Sequence, residues 1–205
     1  SEWPVITFGE LIQLGELEIG DGYRAKNSEL TGDGLIFLRA GHVSDTHIDF
    51  NGVDRFCTIA EHTFGPKISR SGDVIVTTKG NSTGRIAFVT SDMPRFVYSP
   101  HLSYWRAAST GRLEQAFLRA WSRGTQFSEQ LAALSRSTDM APYLSLTDQR
   151  TLLITIPPKS TQSWTGALND SVDRRLELLR HTNTTLEAIA QTLVKSCFDD
   201  FDPVR

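Results

Sequence analysis

The feature that most constrains this chain is a seven-residue repeat near its C-terminus. Val172, Leu179, Leu186 and Leu193 recur at that spacing. Leu176, Asn183, Ala190 and Cys197 form a companion row four residues on, with Ile189 flanking. Trp164 to Phe198 holds no proline, and no glycine after Gly166. The pattern predicts a helix with a narrow apolar seam, the signature of a coiled coil. At about 1.5 Å per residue, roughly 34 residues make a rod about 50 Å long. Such a rod cannot bury its whole seam against one small domain, so it calls for a partner helix. The expected dimerisation residues are Val172, Leu176, Leu179, Asn183, Leu186, Ile189 and Leu193. Asn183 in the seam would favour one register over others. The alternative is an ordinary amphipathic helix folded back on its own domain.

Pro157-Pro158 is the natural boundary before this helix. The expected division is a globular domain over 1–158, a linker over 159–163, and a helix with a tail over 164–205. The fold class expected is α+β: a mostly antiparallel sheet with short helices, followed by the long coiled-coil-type helix. Ile6 to Leu14 reads as a short helix capped by Thr7. Gly20-Asp21-Gly22 and Thr31 to Gly34 read as turns, Gly34 to Ala40 as a strand, and Val43 to Phe50 as a loop with a short strand. Val74 to Thr78 is β-branched throughout and predicts a strand, with Ile86 to Val89 returning as its hairpin partner. Phe96 to Ala107 reads as a strand pair bent at Ser99-Pro100-His101. Leu113, Ala116, Phe117, Ala120 and Trp121 recur at helical spacing, and Gly124 divides that helix from a second one. Leu152 to Ile156 is a further strand.

Charge and composition exclude several classes. No apolar run is long enough to span a bilayer, and no signal-like N-terminal stretch is seen. Cys57 and Cys197 lie far apart, which excludes a disulfide scaffold and fits a reducing cytosol. The net charge is −3, which argues mildly against a general polyanion binder. That average hides an asymmetry: residues 1–66 carry four basic side chains against eleven acids, and residues 67–106 carry six against two. His42 and His47, near Asp45 and Asp49, could hold a metal, but solvated loop residues are the better reading. Gly80 to Arg85 fails the Walker pattern, because Arg85 stands in place of lysine and two strands flank it. No acid, base and nucleophile set can be assembled. The expectation is a non-catalytic chain with no cofactor and no metal.

What remains is binding chemistry. The hairpin tip offers Lys79, Asn81, Ser82, Thr83 and Arg85. Asparagine can read adenine bidentately, arginine and lysine can read guanine, and hydroxyls can hold phosphates. A two-stranded ribbon also fits the major groove. The alternative is a plain polar hairpin tip.

Gly72-Asp73-Val74-Ile75-Val76-Thr77-Thr78-Lys79-Gly80, followed by Gly84-Arg85-Ile86-Ala87, resembles the hairpin of specificity subunits from type I restriction–modification systems. Phe37 to Val43, Tyr98 to Arg106, Met140 to Leu146, Ile154 to Pro158, Leu186 to Leu193 and Phe198 to Val204 are similar to further segments of that family, in the same order. The resemblance spans nearly the whole chain. It implies a target recognition domain that reads half of a split DNA site, followed by a spacer helix. A full subunit usually carries two such repeats and this chain has one, so it is a half-subunit or a fragment of a longer protein. The implied partners are double-stranded DNA, an adenine-N6 methyltransferase subunit that itself binds S-adenosylmethionine, and a restriction subunit. Docking is expected on the helices and near Phe198 to Val204. The chain has neither Asn-Pro-Pro-Tyr nor Asp-Pro-Pro-Tyr, which fits a non-catalytic role.

The expected DNA contacts are Arg39, His42, Lys67, Arg70, Thr78, Lys79, Asn81, Ser82, Arg85 and Arg106. Lys67, Arg70 and Lys79 are expected at phosphates, Asn81 and Arg85 at base edges. Tyr23, Arg24 and Lys26 could add a second contact. Arg39 and Arg106 lie at strand ends, where structural ion pairs are the alternative. A competing reading is a protein–protein interaction module that dimerises through its helix and has no DNA role.

Overall fold

The computed structural model describes residues 3–44, 47–57, 61–136 and 143–199. The chain divides into two units, residues 1–166 and 167–205. The first is α+β, as expected. Its centre is a four-stranded antiparallel sheet ordered β2 (Leu17–Asp21), β8 (Leu102–Ala107), β5 (Val74–Thr77) and β6 (Ile86–Phe88). A three-stranded sheet joins β4 (Asp54–Arg55), β3 (Ile36–Leu38) and β7 (Phe96–Tyr98), and β3 runs parallel to β7. A small antiparallel pair joins β1 (Val5–Thr7) to β9 (Leu153–Thr155).

Side-chain alternation explains the layering. On β5, Val74 and Val76 enter one core with Trp105, Phe8, Leu118 and Trp121, while Ile75 enters a second with Tyr104, Tyr98 and Leu38. The central sheet is therefore buried on both faces. On β3 and β7 the same alternation sends Phe37 and Val97 into a third core with Phe56 and Phe64. The first core is closed by α1 (Phe8–Gln13), α2 (Gln115–Ser122), α3 (Thr125–Arg136) and α4 (Leu146–Thr151). Phe8 meets Trp105 edge to face with centroids 5.1 Å apart, and the Trp105 indole donates to Gln149 Oε1 at 2.7 Å.

Two short helices depend on their caps. The Thr7 hydroxyl accepts from Glu10 N–H, and the Glu10 carboxylate accepts from Thr7 N–H at 2.9 Å. Ser145 and Asp148 repeat the box on α4. Helices of six residues are too short to hold themselves. Thr7→Ala or Ser145→Ala is expected to cost about 1 kcal/mol, read as a lower urea midpoint at unchanged slope.

Several expectations need correction. Phe96 to Ala107 is not one strand pair: β7 joins the three-stranded sheet and β8 the central one. Gly20 and Asp21 continue β2 instead of turning. Among the described residues of 43–50 there is an isolated bridge, Val43 to Ile48, and no strand. Residues 159–163, expected as a linker, are the start of α5 (Lys159–Val194). The first turns of α5 belong to the first unit. Gln162 is buried there, its side chain accepting from Glu114 N–H and donating to Arg112 O and Pro157 O. A Cβ on Gly166 would lie 2.6 Å from Ala116 Cβ, so only glycine permits that approach to α2.

The second unit is the rest of the long helix, ending in one wide turn over Lys195–Asp199. Val172, Leu176, Leu179, Asn183, Leu186, Ile189 and Leu193 are all exposed. Leu168 and Leu178 are exposed beside them. Residues 200–205, part of the expected docking end, lie outside the described residues, as do Met140, Ala141 and Pro142. Among the described residues no helix is long and apolar enough to cross a membrane.

Candidate nucleic-acid interface

Strand direction sets the geometry. The C-terminal ends of β3, β5 and β7 and the start of β8 meet at one end of the sheets: Ser99 N–H donates to Leu38 O, and Thr78 N–H donates to His101 O. The turn Ala40–His42, the hairpin tip 78–85 and the loop 99–101 therefore emerge side by side. The Arg85 guanidinium reaches Val43 O at 3.4 Å, tying the tip to the first of these loops. Leu144 N–H donates to Thr78 O, and Lys79 and Tyr143 form a bridge that brings a fourth segment there.

The tip is a closed structure. Gly80 and Gly84 take φ of 78° and 88°, which only glycine adopts readily. Thr83 N–H and hydroxyl both reach Gly80 O. Lys79, Asn81 and Arg85 are exposed, and Ser82 is half-buried. The Lys79 ammonium lies 4.9 Å from the Tyr143 ring centroid, close enough for a cation–π contact. His42, half-buried, and His101, exposed, complete a basic end. His101 and Tyr143 escaped the sequence reading as contacts. His101 stands at an expected bend and Tyr143 in the segment Met140 to Leu146, read there only for its resemblance, and no local pattern ties either to the hairpin.

The structure brings His42, Lys79, Asn81, Ser82 and Arg85 together, but not the remaining expected contacts. Thr78 is buried with both backbone groups bonded. Arg39 lies over the Phe37 ring and pairs with Asp54 at 2.7 Å. The Lys67 ammonium is tied to Asp21 Oδ1 at 3.0 Å and Gly22 O at 2.8 Å, so it serves the loop after β2. Arg70 faces Glu18 at 3.6 Å. Tyr23 is half-buried, its ring packed against Phe56 and Phe64 of the third core.

Arg106 takes the alternative of a structural ion pair. It is 7% exposed, and its guanidinium grips the Asp73 carboxylate at 2.7 and 2.9 Å. It also donates to Pro66 O and Ile68 O at 2.8 Å. Burial opposes its charge, but Asp73 outweighs burial and holds the guanidinium above its ordinary pKa. Tyr98 donates to Asp73 Oδ2 at 2.6 Å, and burial followed by the Asp73 charge pushes its phenol well up. Burial and Glu18 push Tyr104, stacked on Arg106, up to about 12. With every donor of Arg106 facing inward, this set is a structural brace. Among the described residues no group of three His, Cys, Asp or Glu side chains could hold a metal ion.

No family model matches the chain. A Haemophilus influenzae protein named type I restriction enzyme HindI specificity subunit is 34% identical over 140 residues, covering 68% of this chain and 30% of that one. The chain belongs to the type I specificity-subunit family. Two solved specificity subunits share the fold. One, from M. genitalium, has a TM-score of 0.62 at 17% identity over 95% of this chain and 45% of that one. The other, HsdS from Thermoanaerobacter tengcongensis, has a TM-score of 0.58 at 19% identity over 97% and 44%. The chain thus spans about a third of its curated relative and under half of these solved specificity subunits.

Proposed function

We propose that this chain reads one half of a bipartite double-stranded DNA site and directs an adenine methyltransferase subunit, and a restriction subunit where one is present, to that site. The observation that carries the reading is the closed hairpin tip, which presents Lys79, Asn81 and Arg85 outward beside His42 and His101. Asn81 and Arg85 have the donor and acceptor sets for base edges, and Lys79 suits a phosphate. In this reading 1–166 is the recognition domain, eight residues longer than the expected 1–158, and the rest of the long helix is the spacer. S-adenosylmethionine sits in the partner, and the complex works in the cytoplasm.

The exposed seam is proposed to pair with that of a second copy. The charges flanking the seam favour an antiparallel pair. In a parallel pair Arg175 would face Arg180 of the second copy, across positions that normally carry opposite charges. In an antiparallel pair centred near Asn183 and Thr184, Arg180 would instead face Glu187 of the second copy, twice by symmetry. Such a pair separates the two recognition domains along the rod and calls for a palindromic split site.

The test is selection of bound sequences from a random duplex pool, with and without the methyltransferase subunit. The expected outcome is weak binding by the isolated chain, because its net charge is −3, and enrichment of a split palindrome with the partner present. Arg85→Ala or Asn81→Ala should then cost about 1–3 kcal/mol and relax one position of each half-site. A loss spread evenly over all sequences would reassign that residue to phosphate contact. No enrichment even with the methyltransferase present would favour the interaction-module reading.

A further inference from the structure

We infer that Thr77 is a positioning residue for base reading, a clamp that holds the hairpin tip in the shape the DNA meets. The inference rests on the DNA-reading proposal above and goes beyond it, because Thr77 is fully buried and so acts only through the residues it holds. It is the last residue of β5, on the same strand face as Ile75, where valine would fill the space equally well. A hydroxyl buried there must find partners, and both partners are in the tip. Its hydroxyl accepts from Arg85 N–H at 3.0 Å and faces Ser82 O as a donor. The Thr77 backbone adds two bonds, its N–H donating to Arg85 O and its carbonyl accepting from Gly84 N–H. One residue thus holds three of the tip's positions, including the backbone of the proposed base reader Arg85.

The consequence is preorganisation. A bidentate contact to a base edge discriminates only if its geometry is fixed before binding, and a loop ordered on binding loses affinity to that ordering. Removing the hydroxyl leaves Arg85 N–H its contact with Ser82 O at 3.1 Å. The hairpin therefore survives, but the tip loosens. Phosphate contacts tolerate such looseness and base contacts do not.

The test compares Thr77→Val and Thr77→Ser with wild type in two measurements. The first is amide hydrogen exchange of the free chain. Thr77→Val should speed exchange at Arg85 by about tenfold or more and leave Val76 and Trp105 unchanged, with Thr77→Ser near wild type. The second is the ratio of affinities for the selected site and its single-base variants, with the methyltransferase subunit present. Thr77→Val should lower that ratio by about fivefold or more at an unchanged salt slope, and Thr77→Ser should restore it. Unchanged exchange at Arg85 overturns the clamp. Faster exchange everywhere overturns it as well, since Thr77 would then serve the whole fold. A loosened tip with full discrimination overturns the role in base reading. If wild type itself selects no sequence, the DNA reading fails and this role fails with it, whatever the exchange shows.

Discussion

Asp73→Ala is expected to lower the unfolding free energy by about 3–5 kcal/mol, seen as a large fall in the urea midpoint. The size follows from what remains behind. Asp73 is 2% exposed and accepts from Arg106, from the Tyr98 phenol and from Arg70 N–H. Its loss strands a guanidinium charge in a core whose aromatic walls cannot hydrate it. Glu18, at 3.3 Å and far more exposed, only partly substitutes. Arg106→Ala should cost a similar amount by stranding the carboxylate. The double variant Asp73→Leu with Arg106→Met should recover much of the loss, because removing both charges leaves nothing to desolvate. If the single variants cost under about 1 kcal/mol, as exposed pairs do, the brace is not closed to water.

The same network has an alkaline signature. Tyr104 is pushed up to about 12 by burial and by Glu18, and Tyr98 is pushed up by burial and by Asp73. A phenol held protonated in the folded chain contributes stability that is intact below its unfolded value, about 10. That stability is lost as the pH rises through the folded value, because only the unfolded chain ionises readily. Stability should therefore fall from about pH 10 towards 12, and Tyr104→Phe should flatten that fall.

Local chemistry was the legible part of this fold. The β-branched run 74–78 and the glycines of the tip define the hairpin, Gly124 separates α2 from α3, and Thr7 marks the start of α1. Each signal sits within a few residues of its effect. Pairings between distant segments were not legible. Nothing near Phe96 says that β7 pairs parallel with β3, while β8, four residues on, pairs with β2 and β5. The expected contacts that the structure places away from the tip have the same cause. Arg106 reads as an available cation until the β5–β8 ladder lays it beside Asp73. Lys67 reads likewise until the segment after Phe64 crosses to Asp21. His101 and Tyr143 reach the tip only through β8 pairing and a single bridge. The tip's residues are contiguous and so could be read together, whereas His101 and Tyr143 join them through topology that no local pattern signals.

The seam makes the second large prediction. Leu179→Asp together with Leu186→Asp should convert a dimer near twice 22.8 kDa into a monomer in sedimentation. Both leucines are exposed on the helix, at 60% and 57%, so the recognition unit should keep its own unfolding transition. Within a pair they would be buried, two from each copy. Losing a buried leucine costs about 2–5 kcal/mol, and an aspartate in its place adds desolvation. A weakening of association by about a thousandfold or more follows, since each factor of ten is about 1.4 kcal/mol. Asn183→Leu should act in the opposite direction on affinity, strengthening association while letting other registers compete. The DNA readout separates the helix from the tip. A monomeric variant that keeps an intact tip should still prefer its half-site but lose the fixed spacing between halves, because the rod sets that spacing. Tip variants such as Arg85→Ala should do the reverse, keeping the dimer and the spacing while relaxing one base position.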